Sequence, residues 1–218
     1  VESVFRKTCP DGLPGDLKVV ETLRYAPGQG AVRAALHLAR LERTCARLGI
    51  RLDLAAARAL LDNLAGPVPM RLRLTVGADG APELEQAALQ LTYAPWRIGL
   101  AAERLHSADP WLGVKTTRRA LYDRVRAALP DDLQEMVFLN ERGEVCEGTI
   151  TNVFVERDGT LLTPLLDCGV LPGVLRRSLL ENGRAREAVL WPRDLLAAPG
   201  AIHVGNSLRG LIRAELAA

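Results

Sequence analysis

The stretch EVCEGTITNVFVERDGTLLTPLLDCGVLPGVLRR, residues 144–177, decides the reading of this chain. Glu147-Gly148 precedes two short β-type runs separated by a turn at Arg157-Asp158-Gly159. Thr163-Pro164 follows, and then Leu171-Pro172-Gly173 opens a helix. A carboxylate held at a glycine turn carries charge chemistry. A helix start opened by glycine presents free backbone N–H groups at a partly positive dipole end, which suits a phosphate. One acid beside one phosphate cradle suggests a phosphorylated cofactor with a basic ring nitrogen. Upstream, Val114-Lys115-Thr116-Thr117-Arg118-Arg119 supplies a primary amine.

Composition sets the frame around that stretch. At 218 residues the chain is long enough to bury a good core in one large or two small domains. Hydrophobic content of 48% and charged content of 25% are ordinary for a soluble globular protein. A net charge of +2 argues against a dedicated nucleic-acid binder. The 28 basic residues include only three lysines, Lys7, Lys18 and Lys115, so 25 are arginine. The N-terminal residues lack the apolar run of a signal peptide, and no stretch is apolar enough to span a bilayer. Cysteines 9, 45, 146 and 168 show no CxxC spacing and read as free thiols of a reducing compartment, which points to the cytoplasm. Three scattered histidines, His37, His106 and His203, leave no expected metal site.

Two α+β domains are expected, residues 1–95 and 96–218. In the first, residues 18–25 read as a strand and Pro27-Gly28-Gln29-Gly30 as a turn. Residues 31–48 read as a helix with the stripe Leu38, Leu41, Cys45, Leu48, stopped by Gly49. A second helix covers 54–64. Residues 70–76 alternate as a strand, and 86–93 form another. In the second domain, strands are expected at 96–101, 135–139, 143–146 and 202–204, and helices at 117–129 and 174–181. Asn140-Glu141-Arg142-Gly143 is a hairpin signal.

The pieces HLARL (37–41), KTTRR (115–119), EGTITN (147–152), TPLLDCGVLPGVLR (163–176) and GNSLRGL (205–211) together resemble the class IV aminotransferase family. These are the fold type IV, pyridoxal-phosphate-dependent enzymes. The resemblance implies a two-domain α/β architecture like that of D-amino acid aminotransferase, with the active site between domains. It implies Lys115 as the amine that condenses with the cofactor aldehyde and Glu147 as the partner of the pyridine nitrogen. Arg40, Gly173, the N–H groups of Val174 and Leu175, and Asn206 or Ser207 would hold the phosphate. Thr151 and Asn152 would support the cofactor. Arg24 and Arg73, strand arginines, would meet substrate carboxylates, because a planar guanidinium matches a carboxylate bidentately. Taken alone, Arg40 reads as a solvated helix arginine, Lys115 as a surface lysine and Glu147 as a turn residue.

Two departures stand out. The glycine-rich loop that precedes the early strand in many members is reduced here to Gly15-Asp16. Leu175 stands where many aminotransferases have a threonine. KTTRRxxY (115–122) with NSLRGL (206–211) is most similar to aminodeoxychorismate lyase-type members, which eliminate pyruvate from 4-amino-4-deoxychorismate and leave p-aminobenzoate for folate synthesis. An amino-acid aminotransferase of branched-chain or D-amino-acid type is the alternative, and a non-catalytic module is a remote one. The resemblance also implies a homodimer acting on a small amino substrate, and association with an aminodeoxychorismate synthase component. Neither a nucleic-acid nor a membrane partner is expected.

Overall fold

The structure is a computed structural model that describes residues 5, 13–89, 94–196 and 201–217. The chain divides into two compact units, residues 1–91 with 114–118, and residues 92–113 with 119–218.

The first unit is built on a four-stranded antiparallel sheet. Strand β1 (Val19–Ala26) pairs at its end with the two-residue β2 (Gly30–Ala31) and along its length with β3 (Met70–Val76). Strand β4 (Pro82–Ala88) pairs with the other side of β3. Helix α1 (Ala34–Leu48) buries Leu38, Leu41, Cys45 and Leu48, the stripe read from the sequence. It ends on Gly49, whose φ of 74° is the left-handed cap that favours glycine. The helix starts three residues later than expected because residues 30 and 31 join the sheet as β2. Helix α2 (Leu54–Asp62) is capped by Asp53, which accepts from the Ala56 N–H at 2.9 Å. The strand expected at 86–93 begins earlier, at Pro82, because Gly77–Gly80 closes a tight turn after β3. Residues 90–93 lie outside the described residues.

In the second unit, strands β5 (Trp96–Leu105), β6 (Glu135–Asn140), β7 (Val145–Gly148), β8 (Asn152–Arg157), β9 (Thr160–Pro164), β10 (Ala185–Ala188), β11 (Ile202–Asn206) and β12 (Gly210–Leu216) form one sheet in the order β10-β9-β8-β11-β12-β5-β6-β7. A further pairing of β7 with β8, Glu147 opposite Asn152, joins the ends of six of these strands into a closed ring. Trp96, Ile98, Val137, Leu139, Val145, Val153, Val155, Val204 and Ile212 belong to one apolar cluster, at every second position of their strands. On the opposite strand faces, helix α3 (Ala120–Ala127) brings Val125 against Phe138 and Cys146. Helix α4 (Val174–Glu181) brings Leu175 and Leu179 against Phe154. The turn at Asp158-Gly159 has φ of 51° and 73° between paired Arg157 and Thr160, a two-residue turn of the mirror-image type that favours Gly. Strands β10 and β12 and the short helix α5 (Pro192–Leu196) were not legible in sequence. β10 is largely exposed and lacks an apolar alternation.

Lys115 was expected with residues 96–218. The segment 114–118 belongs instead to the first unit, because it completes the free edge at the start of β1. Val20 donates to the Lys115 carbonyl and Thr117 to the Lys18 carbonyl, each at 2.9 Å. The Lys18 N–H donates to Thr117 Oγ1 at 3.0 Å. β2 reaches only the far end of β1, so these backbone groups would otherwise lack partners.

A buried ion cluster ties β1 to α1. Glu21 is fully buried and accepts from Arg40 Nε at 2.8 Å and Nη2 at 2.6 Å. His37 Nδ1 lies 2.6 Å from the same carboxylate. Burial alone would raise the Glu21 carboxyl, but the Arg40 charge and the bonds from His37 and Arg40 outweigh it and bring it down to about 2. Burial lowers the His37 pKa despite the bond to Glu21. Both groups therefore bind protons more readily in the unfolded chain. Their contribution to stability is present in full at neutral pH. The His37 part fades as pH falls below its ordinary value of 6.5. The Glu21 part fades between 4.5 and about 2. Glu21→Gln should cost about 3–5 kcal/mol, since it leaves Arg40 buried beside a neutral group. Denaturant unfolding across pH should show that variant losing most of the acid-side slope; an unchanged slope would refute the assignment.

Candidate active site

Glu147 is the last carboxylate before the β7–β8 turn, and it is 6% exposed. Three donors converge on it. Tyr122 Oη of α3 donates to Oε1 at 2.8 Å. The Leu171 N–H donates to Oε2 at 3.0 Å, and Asn152 Nδ2 approaches Oε2 at 3.4 Å. Hydrogen bonds of this kind favour the ionised form of a buried carboxylate. Asn152 Nδ2 also donates to the Leu171 carbonyl at 3.1 Å. The EGTITN turn and the LPG segment are thus sewn together through two side chains.

The turn itself is held from below by Glu135, at the start of β6 and fully buried. Its carboxylate accepts from the Thr149 N–H at 2.9 Å, the Ile150 N–H at 3.2 Å and Thr151 Oγ1 at 2.9 Å, and also bonds Thr149 Oγ1. Helix α3 closes the other side. Arg126 Nη1 donates to Thr149 Oγ1, and Arg119 Nη2 to the Thr149 carbonyl, each at 3.0 Å. Thr151, expected beside the cofactor, spends its hydroxyl on Glu135.

Gly173 is the cap of α4, in extended conformation, and no side-chain oxygen caps that helix. The first-turn amides of Val174 and Leu175 therefore lack intrahelical partners, as at every helix start. Gly173 is required sterically: a Cβ there would fall 1.8 Å from Asn152 Oδ1. The Leu175 side chain points at Gly205, where a Cβ would come within 2.9 Å of Leu175 Cδ2. The turn after β11 thereby lies against the α4 start. Asn206 Nδ2 donates to the Ile150 carbonyl at 3.1 Å, and its Oδ1 accepts from the Arg209 N–H at 3.0 Å. Ser207 is buried in the same turn. Arg209 lies over the Trp96 ring, 5.8 Å from its centroid. The second unit thus brings together Glu147, Asn152, Gly173, Val174, Leu175, Asn206 and Ser207.

Lys115, Arg40, Arg24 and Arg73 lie in the first unit. Lys115 is half-buried, and its charge is felt by His37. Arg40 is buried rather than solvated, with two of its three guanidinium nitrogens committed to Glu21. Cys146 is buried, its thiol donating to the Cys168 carbonyl at 3.1 Å, and burial pushes its pKa up, away from a nucleophile's range. Among the described residues no cluster of His, Cys, Asp and Glu fits a metal ion. No helix among them is long and apolar enough to cross a membrane.

Sequence reasoning missed Glu135, Arg119 and Arg126 as parts of this site. Glu135 opens an alternating strand and reads as a strand-end charge; only the folded-back turn reveals its donors. Tyr122 was noticed within KTTRRxxY but given no partner.

A model of the amino-transferase class IV family matches residues 18–216, and the chain belongs to that family, one of pyridoxal-phosphate-dependent aminotransferases and lyases. It is similar to an assigned amino-acid aminotransferase from Mesorhizobium loti, with 43% identity, 93% of this chain and 100% of that chain covered, and a TM-score of 0.87. The 4-amino-4-deoxychorismate lyase of Pseudomonas aeruginosa is 26% identical, with 91% of this chain and 82% of that chain covered and a TM-score of 0.74. An assigned branched-chain-amino-acid aminotransferase of Thermotoga maritima is 35% identical over 72 residues, 31% of this chain and 26% of that protein. The chain covers between 17% and 46% of the length of the curated relatives it matches.

The residues present fit pyridoxal phosphate. The uncapped helix start at Gly173 suits a phosphate, and the Glu147 carboxylate suits a protonated ring nitrogen. Gly173→Ala should weaken cofactor affinity by about tenfold by displacing Asn152, whereas Gly15→Ala, which meets nothing within 4 Å, should leave it unchanged. Absorbance titration with pyridoxal phosphate checks both. Glu135→Ala should lower stability by about 3–5 kcal/mol, since it strands buried backbone donors of the turn; a loss under 1 kcal/mol in urea unfolding would show that water replaces the carboxylate.

Proposed function

We propose that this protein is a pyridoxal-phosphate-dependent lyase that eliminates pyruvate from 4-amino-4-deoxychorismate, giving p-aminobenzoate. The observation that carries the choice of substrate is the arginine face of the first sheet. Thr22 is paired with Arg73 and Arg24 with Arg71, so all four side chains share one sheet face, opposite that of Glu21 and Leu23. Arg24 Nε is buried without a hydrogen-bond partner among the described residues. A substrate with two carboxylates matches such a face, with Arg24 and Arg73 as its ligands.

In this reading the α4 amides of Val174 and Leu175, Gly173, Arg40 and the Asn206-Ser207 turn bind the phosphate. Glu147 holds a proton at the ring nitrogen, and Asn152 and Thr151 keep that carboxylate and its turn in place. Bound pyridoxal phosphate supplies an aldehyde for the substrate amine and a ring that accepts electrons. Lys115 Nζ takes the proton from the carbon that bears the amino group and returns it to the departing enolpyruvyl oxygen. The ring of the substrate becomes aromatic, and the enol of pyruvate leaves.

The amino-acid aminotransferase reading is supported by the 43% identity to the Mesorhizobium loti protein. The two differ in what they consume. The lyase releases equal amounts of p-aminobenzoate and pyruvate with no 2-oxo acid present. The aminotransferase turns over an amino acid only when a 2-oxo acid is added. Assays of the loaded protein under both conditions decide between them. Lys115→Ala should abolish either activity and the borohydride-fixed cofactor adduct, read by peptide mass mapping; an adduct retained in that variant would remove Lys115 from its role. We extend the proposal to a homodimer working in the cytoplasm beside an aminodeoxychorismate synthase component. The free thiols of Cys45, Cys146 and Cys168 are compatible with a reducing compartment.

A further inference from the structure

We infer that Tyr122 is a positioning residue that sets the proton balance of Glu147, and so that of the ring nitrogen this carboxylate faces; the inference rests on the cofactor reading above. Tyr122 Oη donates to Oε1 of Glu147 at 2.8 Å, while Oε2 meets the Leu171 N–H and Asn152 Nδ2. Its direction is fixed by two ring contacts. The Phe138 ring meets it edge-on at 5.1 Å between centroids, and the Arg119 guanidinium lies 5.5 Å from its centroid. Burial and the adjacent Glu147 charge push the phenol pKa far above its ordinary value. The hydroxyl is therefore a permanent donor, never a phenolate competing with the carboxylate.

The chain adds a reason for this placement. Tyr122 follows Lys115 by seven residues, and Arg119 follows it by four. Arg119, the cap of α3, binds the Thr149 carbonyl at 3.0 Å, so the start of this helix holds both Glu147 and the turn that follows it. One short segment thus supplies the amine and sets the carboxylate. A hydrogen bond to the ionised form of an acid favours that form. With Tyr122 in place the shared proton rests on the ring nitrogen. Without it, Glu147 becomes the better base and keeps more of that proton.

Tyr122→Phe isolates the hydroxyl, because the phenyl ring retains its contacts with Phe138 and Arg119. The test uses the pyridoxal-phosphate-loaded protein, with Glu147→Gln and the double variant alongside. For Tyr122→Phe we expect a melting temperature lowered by about 3–6 °C, the cost of one lost hydrogen bond to a buried carboxylate. Cofactor affinity should stay within threefold, while the pH midpoint of the bound cofactor's absorption band shifts and kcat falls about tenfold at nearly constant KM. In the Glu147→Gln background the same change should have no further effect on band or rate. An unchanged band and rate in Tyr122→Phe, with Glu147→Gln impaired, would overturn the inference. An equal further loss in the double variant would also overturn it, as would a melting drop that accounts for the rate. If Glu147→Gln itself leaves band and turnover unchanged, the cofactor reading fails instead, and the inference goes with it.

Discussion

The pairing of Glu147 with Asn152 is the constraint on which the second unit depends. It closes six strands into a ring, and it does so with the two residues that also define the candidate site. A ring closed by so short a ladder leaves the four-residue turn between the partners with several buried backbone groups. Glu135 satisfies the donors, and Arg119 takes a carbonyl. The same closure brings Asn152 against Gly173, where any side chain would collide. Architecture and site are therefore not separable here: the residues that close the sheet also aim the carboxylate and seat the helix start.

The first unit relies on a different device. Glu21 places a full negative charge inside the helix–sheet interface, and Arg40 and His37 compensate it there. Such a cluster gains little net stability over an apolar core, because desolvation offsets the attraction. What it provides is orientation. Arg40 is held by two nitrogens on Glu21, and Lys115 is tied to the edge at the start of β1 by backbone bonds. A flexible cationic side chain on an exposed helix would have neither restraint.

Much of the fold was legible because periodicity and punctuation agreed. The α1 stripe, its Gly49 stop, the alternation of β3 and the start of α4 at Gly173 all appear as read. The parts that were not legible share a physical cause. β10 is an exposed edge with no apolar alternation, and β12 gains its partner β5 from more than a hundred residues away. The α3 helix was read too long because Arg118 and Arg119 fit a helix locally, yet the preceding residues are claimed by β1.

The sequence by itself determined the family, the elements that carry the motifs and the chemistry each residue type brings, because those follow from side-chain identity at short spacing. Lysine is a primary amine wherever it lies, and a glycine-opened helix start exposes its amides wherever it docks. Tertiary structure alone decided the partners. It moved Lys115 to the first sheet, committed Arg40 to Glu21, put Tyr122 on Glu147 and set Glu135 beneath the turn. A hydrogen bond acts only over about 3 Å, and no local rule of spacing brings residues 14 to 25 positions apart, on different elements, to that distance.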